Sequence, residues 1–157
     1  VRYIAIDIGD KRTGIAVGDS ETLIVSPRET LEVPITHNGG ADLVAAVVKA
    51  VADVCGAWQK CELVVGLPLN MDGSEGPQAK KSREFGERLG AATKRVVHFQ
   101  DERLTSVDAD WSMSQSGLTH GGKKARRDAL AAAAILRDFL AAKARVADCE
   151  SGPGAVQ

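Results

Sequence analysis

Three carboxylates stand at the ends of elements, where they could do chemistry. Asp7 closes the apolar run Tyr3-Ile4-Ala5-Ile6, and a charged group at the end of a buried segment loses hydration that something must replace. Glu102 lies in Asp101-Glu102-Arg103, just past a strand-like run that ends at Phe99, and ligands of open α/β sheets bind at the carboxyl ends of strands. Asp128 leads a helical face that continues through Ala131, Ala132, Ile135 and Phe139, an apolar face by helical spacing. Each acid also has a plain structural explanation. Asp7 can cap a turn, Asp101 or Glu102 can cap a helix and complement its dipole, and Asp128 can be the N-cap of a helix starting at Ala129. If the three converge, they form an all-oxygen site suited to Mg²⁺ or Mn²⁺. Two such ions about 3.5–4 Å apart activate water and stabilise a leaving oxygen in phosphodiester cleavage.

Basic residues accompany the acids. Lys123-Lys124-Ala125-Arg126-Arg127 immediately precedes Asp128, and Lys11-Arg12 and Arg103 follow the other two. The formal net charge is −1, but residues 1–76 carry 6 basic and 11 acidic side chains (net −5) and residues 77–157 carry 14 and 10 (net +4). Local fields, not totals, steer a polyanion. Lys11, Arg12, Arg103, Lys123 and Lys124 are therefore candidate phosphate contacts, which position a nucleic acid without reading its sequence. The alternatives are a solvated helix start for the Lys123–Arg127 cluster and, for Arg12 and Arg103, pairing with the acids to order an empty site. His37, His98 and His120 are not expected to bind metal.

These residues need elements to hold them. Arg2–Asp7 and Ile15–Gly18 read as strands around the polar turn Asp10–Gly14, and Thr22–Val25 with Glu29–Val33 suggests a third, completing an antiparallel meander. Asp42–Trp58 has helical spacing with Leu43, Val47, Ala50, Val51 and Val54 on one face. Leu63–Leu67 is a short apolar run that suits a buried parallel strand. Pro68–Gly76 is a loop, and Pro77 suits the first turn of a helix running to about Leu89. Arg95–Phe99 is a further strand, Leu104–Ser116 a helix, Thr119–Gly122 a flexible break, and Ala129–Lys143 an Ala/Leu helix. A meander followed by alternating helices and strands implies an α/β fold, a mixed sheet with helices on its faces.

A chain of 157 residues with 44% hydrophobic and 26% charged residues is an ordinary single domain, expected over residues 1–145 with a disordered tail at 146–157. No apolar run is long enough for a membrane span, and no secretory signal is expected, because Val1-Arg2 leads straight into a strand-like segment. Cys55, Cys61 and Cys149 are an odd, sparse set without a CxxC pair, expected as free thiols of a cytoplasmic protein.

Four stretches together resemble the YqgF/RuvX family of ribonuclease-H-like proteins, described as Holliday junction resolvases and as nucleases for the 5′ end of pre-16S ribosomal RNA. They are Asp7-Ile-Gly-Asp-Lys-Arg-Thr-Gly-Ile-Ala-Val-Gly-Asp19, Val65-Gly-Leu-Pro-Leu-Asn-Met-Asp-Gly-Ser-Glu75, Asp101-Glu-Arg-Leu-Thr-Ser106 and Lys124-Ala-Arg-Arg-Asp-Ala-Leu-Ala-Ala-Ala-Ala-Ile-Leu136. Any one alone is weak; four in this order and spacing, across residues 3–140, are specific. The resemblance implies a ribonuclease-H-like mixed five-stranded sheet, with a three-stranded antiparallel meander and two parallel strands, flanked by helices. It implies catalytic and metal-binding carboxylates at Asp7, Glu102 and Asp128, a pair of Mg²⁺ or Mn²⁺ ions bridged by Asp7, and products with 5′-phosphate and 3′-hydroxyl ends. Asn70 is expected to shape the Gly66–Glu75 loop and to touch nucleic acid; a purely structural turn around Pro68 and Asp72-Gly73 is the alternative.

Two competing functions remain open at this level. Asp7-Ile-Gly9 with Gly14 also resembles the phosphate loop of actin-like and sugar-kinase ATPases, but those need two related domains around the nucleotide. A non-catalytic nucleic-acid-binding or ribosome-assembly module would keep the fold without cleavage. Within the nuclease reading, a four-way DNA junction requires two coordinated cuts and hence a homodimer, whereas trimming an RNA precursor does not.

Overall fold

The computed structural model describes residues 1–56, 60–102 and 120–150, with side chains of the last segment from Arg127 onward. Strands β1 (Arg2–Ile8), β2 (Thr13–Asp19), β3 (Val25–Leu31), β4 (Cys61–Leu67) and β5 (Val97–Asp101) form one sheet in the order β3-β2-β1-β4-β5. The first three are antiparallel, and β4 and β5 run parallel to β1. A short 3-10 helix (His37–Gly40) and helices α1 (Ala41–Cys55), α2 (Pro77–Thr93) and α3 (His120–Glu150) complete the described elements. The expected α/β architecture is therefore the observed one.

Strand alternation divides the core. Ile4, Ile6 and Ile8 of β1 point to one face and pack with Ile15, Leu63, Val65, Leu43 and Val47 of α1, and Phe85 and Leu89 of α2. Tyr3 and Ala5 point to the other face and meet Ala132, Ala133, Ile135, Leu136 and Leu140 of α3. On that second face β2 presents only Gly14, Ala16 and Gly18. Small residues let α3 lie close to the sheet: a Cβ on Gly18 would come within 2.9 Å of Leu136.

Several boundaries differ from expectation. The third strand is Val25–Leu31, because the Asp19 carboxylate accepts from the Glu21 and Thr22 amides (2.8 and 3.3 Å) and folds Thr22–Ile24 into the hairpin turn. Pro27 is tolerated there because β3 is an edge strand. β5 begins two residues later than Arg95, since Lys94 adopts a left-handed conformation (φ 56°) at the end of α2. The shift brings Asp101 into the strand and Glu102 to its lip. The expected break at His120–Gly122 is instead the first turn of α3, which also continues beyond residue 145 to Glu150. The free-thiol expectation fails for Cys55 and Cys61, which form a disulfide. The chain reverses from the end of α1 into the start of β4, leaving their Cα atoms 6.3 Å apart, a normal disulfide separation; Cys149 is free and exposed. The expected helix at Leu104–Ser116, along with Trp58, Arg103, Thr119 and the tail from Ser151, lies outside the described residues. Among the described residues no helix is long and apolar enough to cross a membrane.

Candidate active site

The site is a row across the sheet. Asp7 lies near the end of β1, on the face covered by α3, and pairs with Gly14 of β2. On its other side the β1–β4 pairing runs to Ile6 opposite Val65, so Gly66 is the next neighbour, and Gly66 in turn pairs with Gln100 of β5. Asp7 is thus a carboxylate with a glycine on each flank. Both spaces are occupied. The α3 backbone at Asp128 lies directly over Gly14, where any Cβ would collide with the Asp128 carbonyl. The Glu102 carboxyl lies over Gly66 and hydrogen-bonds to Asp7. The Glu102 amide donates to the Leu67 carbonyl (3.2 Å), extending the β4–β5 ladder by a step and fixing where that side chain starts.

The turn below is held by the Gly9 amide donating to the Arg12 carbonyl (2.9 Å) and the Ile35 amide donating to the Asp10 carbonyl (3.1 Å). It aims Arg12 at α3, with Nε 3.7 Å from Asp128 Oδ2 and both side chains about 30% exposed. Asp128 is therefore an interior residue of α3. The N-cap explanation does not apply to it, and the basic Lys123–Arg127 run is helical.

The electrostatics of this row are unbalanced. Burial pushes Glu102 up to about 8, reinforced by the Asp7 charge, by the hydrogen bond it donates to Asp7, and by Asp101. Burial likewise pushes Asp7 up to about 6; the hydrogen bond from Glu102 works against the rise and the Asp128 charge adds to it. The pair holds one proton near neutrality. Burial also raises Asp128, with Arg12 and then Arg127 opposing. Asp7 and Glu102 are in contact, whereas Asp128 stands off toward Arg12. Among the described residues no three acids or histidines close on a common point as a finished metal cage. An acidic pair that must share a proton is chemically ready to exchange that proton for a cation, and its oxygen donors match a hard divalent ion.

The remaining candidates divide. Lys11 is exposed in the β1–β2 turn. Asn70 is occupied within its own loop: its side-chain amide donates to Ser74 Oγ (3.0 Å), its main-chain amide to the Ser74 carbonyl (2.9 Å), and its carbonyl accepts from Gly73 (2.8 Å). It shapes the loop, as expected. Lys123 and Lys124 belong to the first turns of α3, their side chains outside the described set, as is Arg103 altogether. Arg83 was not legible as part of the site from sequence. It clamps Glu75 at the foot of the loop and stacks over Phe99 (4.9 Å), tying the loop to β5 just before Glu102.

A five-stranded sheet in this order, flanked by helices, defines the ribonuclease-H-like class of fold, and its acids gather at the carboxyl ends of β1 and β5. The chain belongs to the RuvX family, whose model, described as Holliday junction resolvase, matches residues 1–142. A relative from Chloroflexus aurantiacus named "Putative pre-16S rRNA nuclease" is 35% identical over 89% of this chain and 86% of its own. One of the same name from Anaeromyxobacter sp. (strain Fw109-5) is 37% identical over 89% of this chain and 96% of its own. Among solved structures, T. thermophilus RuvC in complex with a Holliday junction substrate superposes with TM-score 0.55 over 92% of this chain and 96% of that one. At 12% identity that likeness concerns the fold alone.

Proposed function

We propose that this chain is a divalent-metal-dependent endonuclease that hydrolyses phosphodiester bonds, and that its substrate is the 5′ end of pre-16S ribosomal RNA in the cytoplasm. The observation that carries the reading is the Asp7–Glu102 pair, two desolvated acids joined by a side-chain hydrogen bond. A purely structural role would favour an acid–base pair; two acids together cost stability and are kept for a cation or a proton. The names of the relatives support RNA as the substrate.

Asp7 and Glu102 would hold Mg²⁺ or Mn²⁺ with Asp128 as the third acid. Such ions, when bound, supply an activated water and neutralise charge on the leaving oxygen. The protein's own residues do the rest. Asp7 and Glu102 give up their shared proton as the site loads. Arg12, released from Asp128, and Lys11 beside it bind phosphates that flank the scissile bond; Lys123, Lys124 and Arg103, the sequence neighbour of Glu102, are further candidates for phosphate contact. The loop shaped by Asn70 and braced by Arg83 borders the same edge. No protein nucleophile is required.

The test offers one preparation a precursor RNA, a linear duplex and a four-way DNA junction, each with Mg²⁺ or Mn²⁺. Cleavage of the RNA that disappears in Asp7→Asn supports the proposal. Paired, symmetric cuts in the junction by a homodimer would replace the RNA assignment with resolvase activity, and RNA binding without cleavage of any substrate would leave a non-catalytic assembly factor.

A further inference from the structure

Glu102 begins two strands away from Asp7: β5 carries it, β1 carries Asp7, and β4 lies between. Two side chains so placed meet only if the intervening strand offers no side chain of its own. At the crossing point β4 has Gly66. A Cβ built there overlaps Glu102 Oε1 and comes within 2.9 Å of Glu102 Cδ and 2.6 Å of Ile135 Cδ1. Backbone conformation does not explain this glycine, for it is not among the left-handed glycines, Gly39, Gly40, Gly56 and Gly73. A strand-interior glycine otherwise weakens a sheet. Its value must lie in the space above it, and that space is filled by a carboxyl group.

We infer that Gly66 is a positioning residue: the gap it leaves in β4 is the passage through which Glu102 of β5 reaches Asp7 of β1, and any larger residue there separates the two acids. This rests on the reading of Asp7 and Glu102 as the working acids. The side-chain row across the sheet is then Gly14, Asp7, Gly66, Gln100, in which the two glycines admit Asp128 from the helix and Glu102 from the edge strand.

The test separates a clash with Glu102 from a general packing fault. Gly66→Ala is made in an Ile135→Val background, which removes the flexible Cδ1 contact, and again in that background with Glu102→Ala. Thermal unfolding is measured on metal-free protein, and Mn²⁺ binding by calorimetry. With Glu102 present, Gly66→Ala should lower Tm by about 3 °C or more and weaken Mn²⁺ binding by roughly 10–100-fold. With Glu102→Ala, the same change should leave Tm unchanged or raise it, because alanine suits a strand better than glycine. Folding of the triple variant where Gly66→Ala/Ile135→Val does not fold is the same result in stronger form. Equal Tm losses in both backgrounds would overturn the inference. If the unsubstituted chain takes up no Mn²⁺, the metal reading falls, while the thermal comparison still decides what Gly66 does.

Discussion

The face of the sheet under α3 carries half-buried acids at both ends, and they are treated in opposite ways. At the end where the parallel strands begin, Glu62 of β4 meets His98 of β5 at 2.6 Å, each about 30% exposed. Tyr3 and Phe139 pack around that pair, with ring centroids 6.1 and 5.0 Å from His98, and Lys143 stands over Tyr3. The acid there has a base and an aromatic wall. At the end where the strands finish, Glu102 hydrogen-bonds to Asp7, another acid. Strands β4 and β5 supply both pairs, so the contrast is one of side-chain choice and not of architecture. An acid beside a base is the ordinary arrangement, whereas two desolvated acids in contact are the kind of pair that marks a candidate functional site.

The contrast can be broken most directly by Asp7→Asn. Cleavage should fall on the order of 10³-fold while circular dichroism and RNA binding persist, since the amide keeps a hydrogen bond to Glu102 and relieves the charge. Retained metal-dependent cleavage by that variant would make the two ends equivalent and remove the mechanism.

Proton linkage separates the ends next. Glu102 rises from its ordinary 4.5 to about 8 and Asp7 from 3.8 to about 6 in the folded chain. A folded-state value above the unfolded one means that the folded chain binds more protons. The associated stability is present below about pH 4 and is lost as pH climbs through about 6 to about 8. The Tm of metal-free protein should therefore fall across that window, Asp7→Asn should flatten the fall, and Mn²⁺ should stabilise more at the alkaline end than at the acid end. A Tm that rises through the window would show that the acids are not sharing a proton.

At the compensated end the expected effects are smaller and concern stability alone. Glu62→Ala should cost about 1 kcal/mol and lower Tm by about 2–4 °C, with the cleavage rate unchanged. A large loss of activity with normal stability would move this end into the site.

Arg12→Ala should have the mildest effect. It removes one phosphate contact, so RNA binding weakens and the slope of log affinity against log salt drops by about one. It also frees Asp128, so Mn²⁺ affinity should hold or improve. Weaker Mn²⁺ binding with an unchanged salt slope would make Arg12 a structural partner of Asp128 and not a phosphate ligand.

Much of this was open to a reader of the sequence. Alternation in Arg2–Asp7, the helical spacing from Leu43 to Val54, Pro77 at the head of α2 and the Ala/Leu run after Asp128 are local patterns, governed by the two and 3.6-residue periods of the backbone, and they placed most elements. Boundaries were missed where a single nonlocal or conformational event decided them. The Asp19 carboxylate folding Thr22–Ile24 into a turn, left-handed Lys94 delaying β5, and Cys55 meeting Cys61 across a chain reversal are such events. The four motifs pointed to Asp7, Glu102 and Asp128 together. What linear sequence could not decide was their standing toward one another, because that depends on which strands are neighbours. Only the order β3-β2-β1-β4-β5 puts Gly14 and Gly66 on either side of Asp7. In the sequence those glycines are ordinary members of a turn and a strand; in the sheet they are the spaces that let one acid descend from a helix and another cross a strand. Side-chain chemistry is a property of residue type and survives in one dimension, while the proximity that joins Asp7 to Glu102 and sets Asp128 against Arg12 exists only in three.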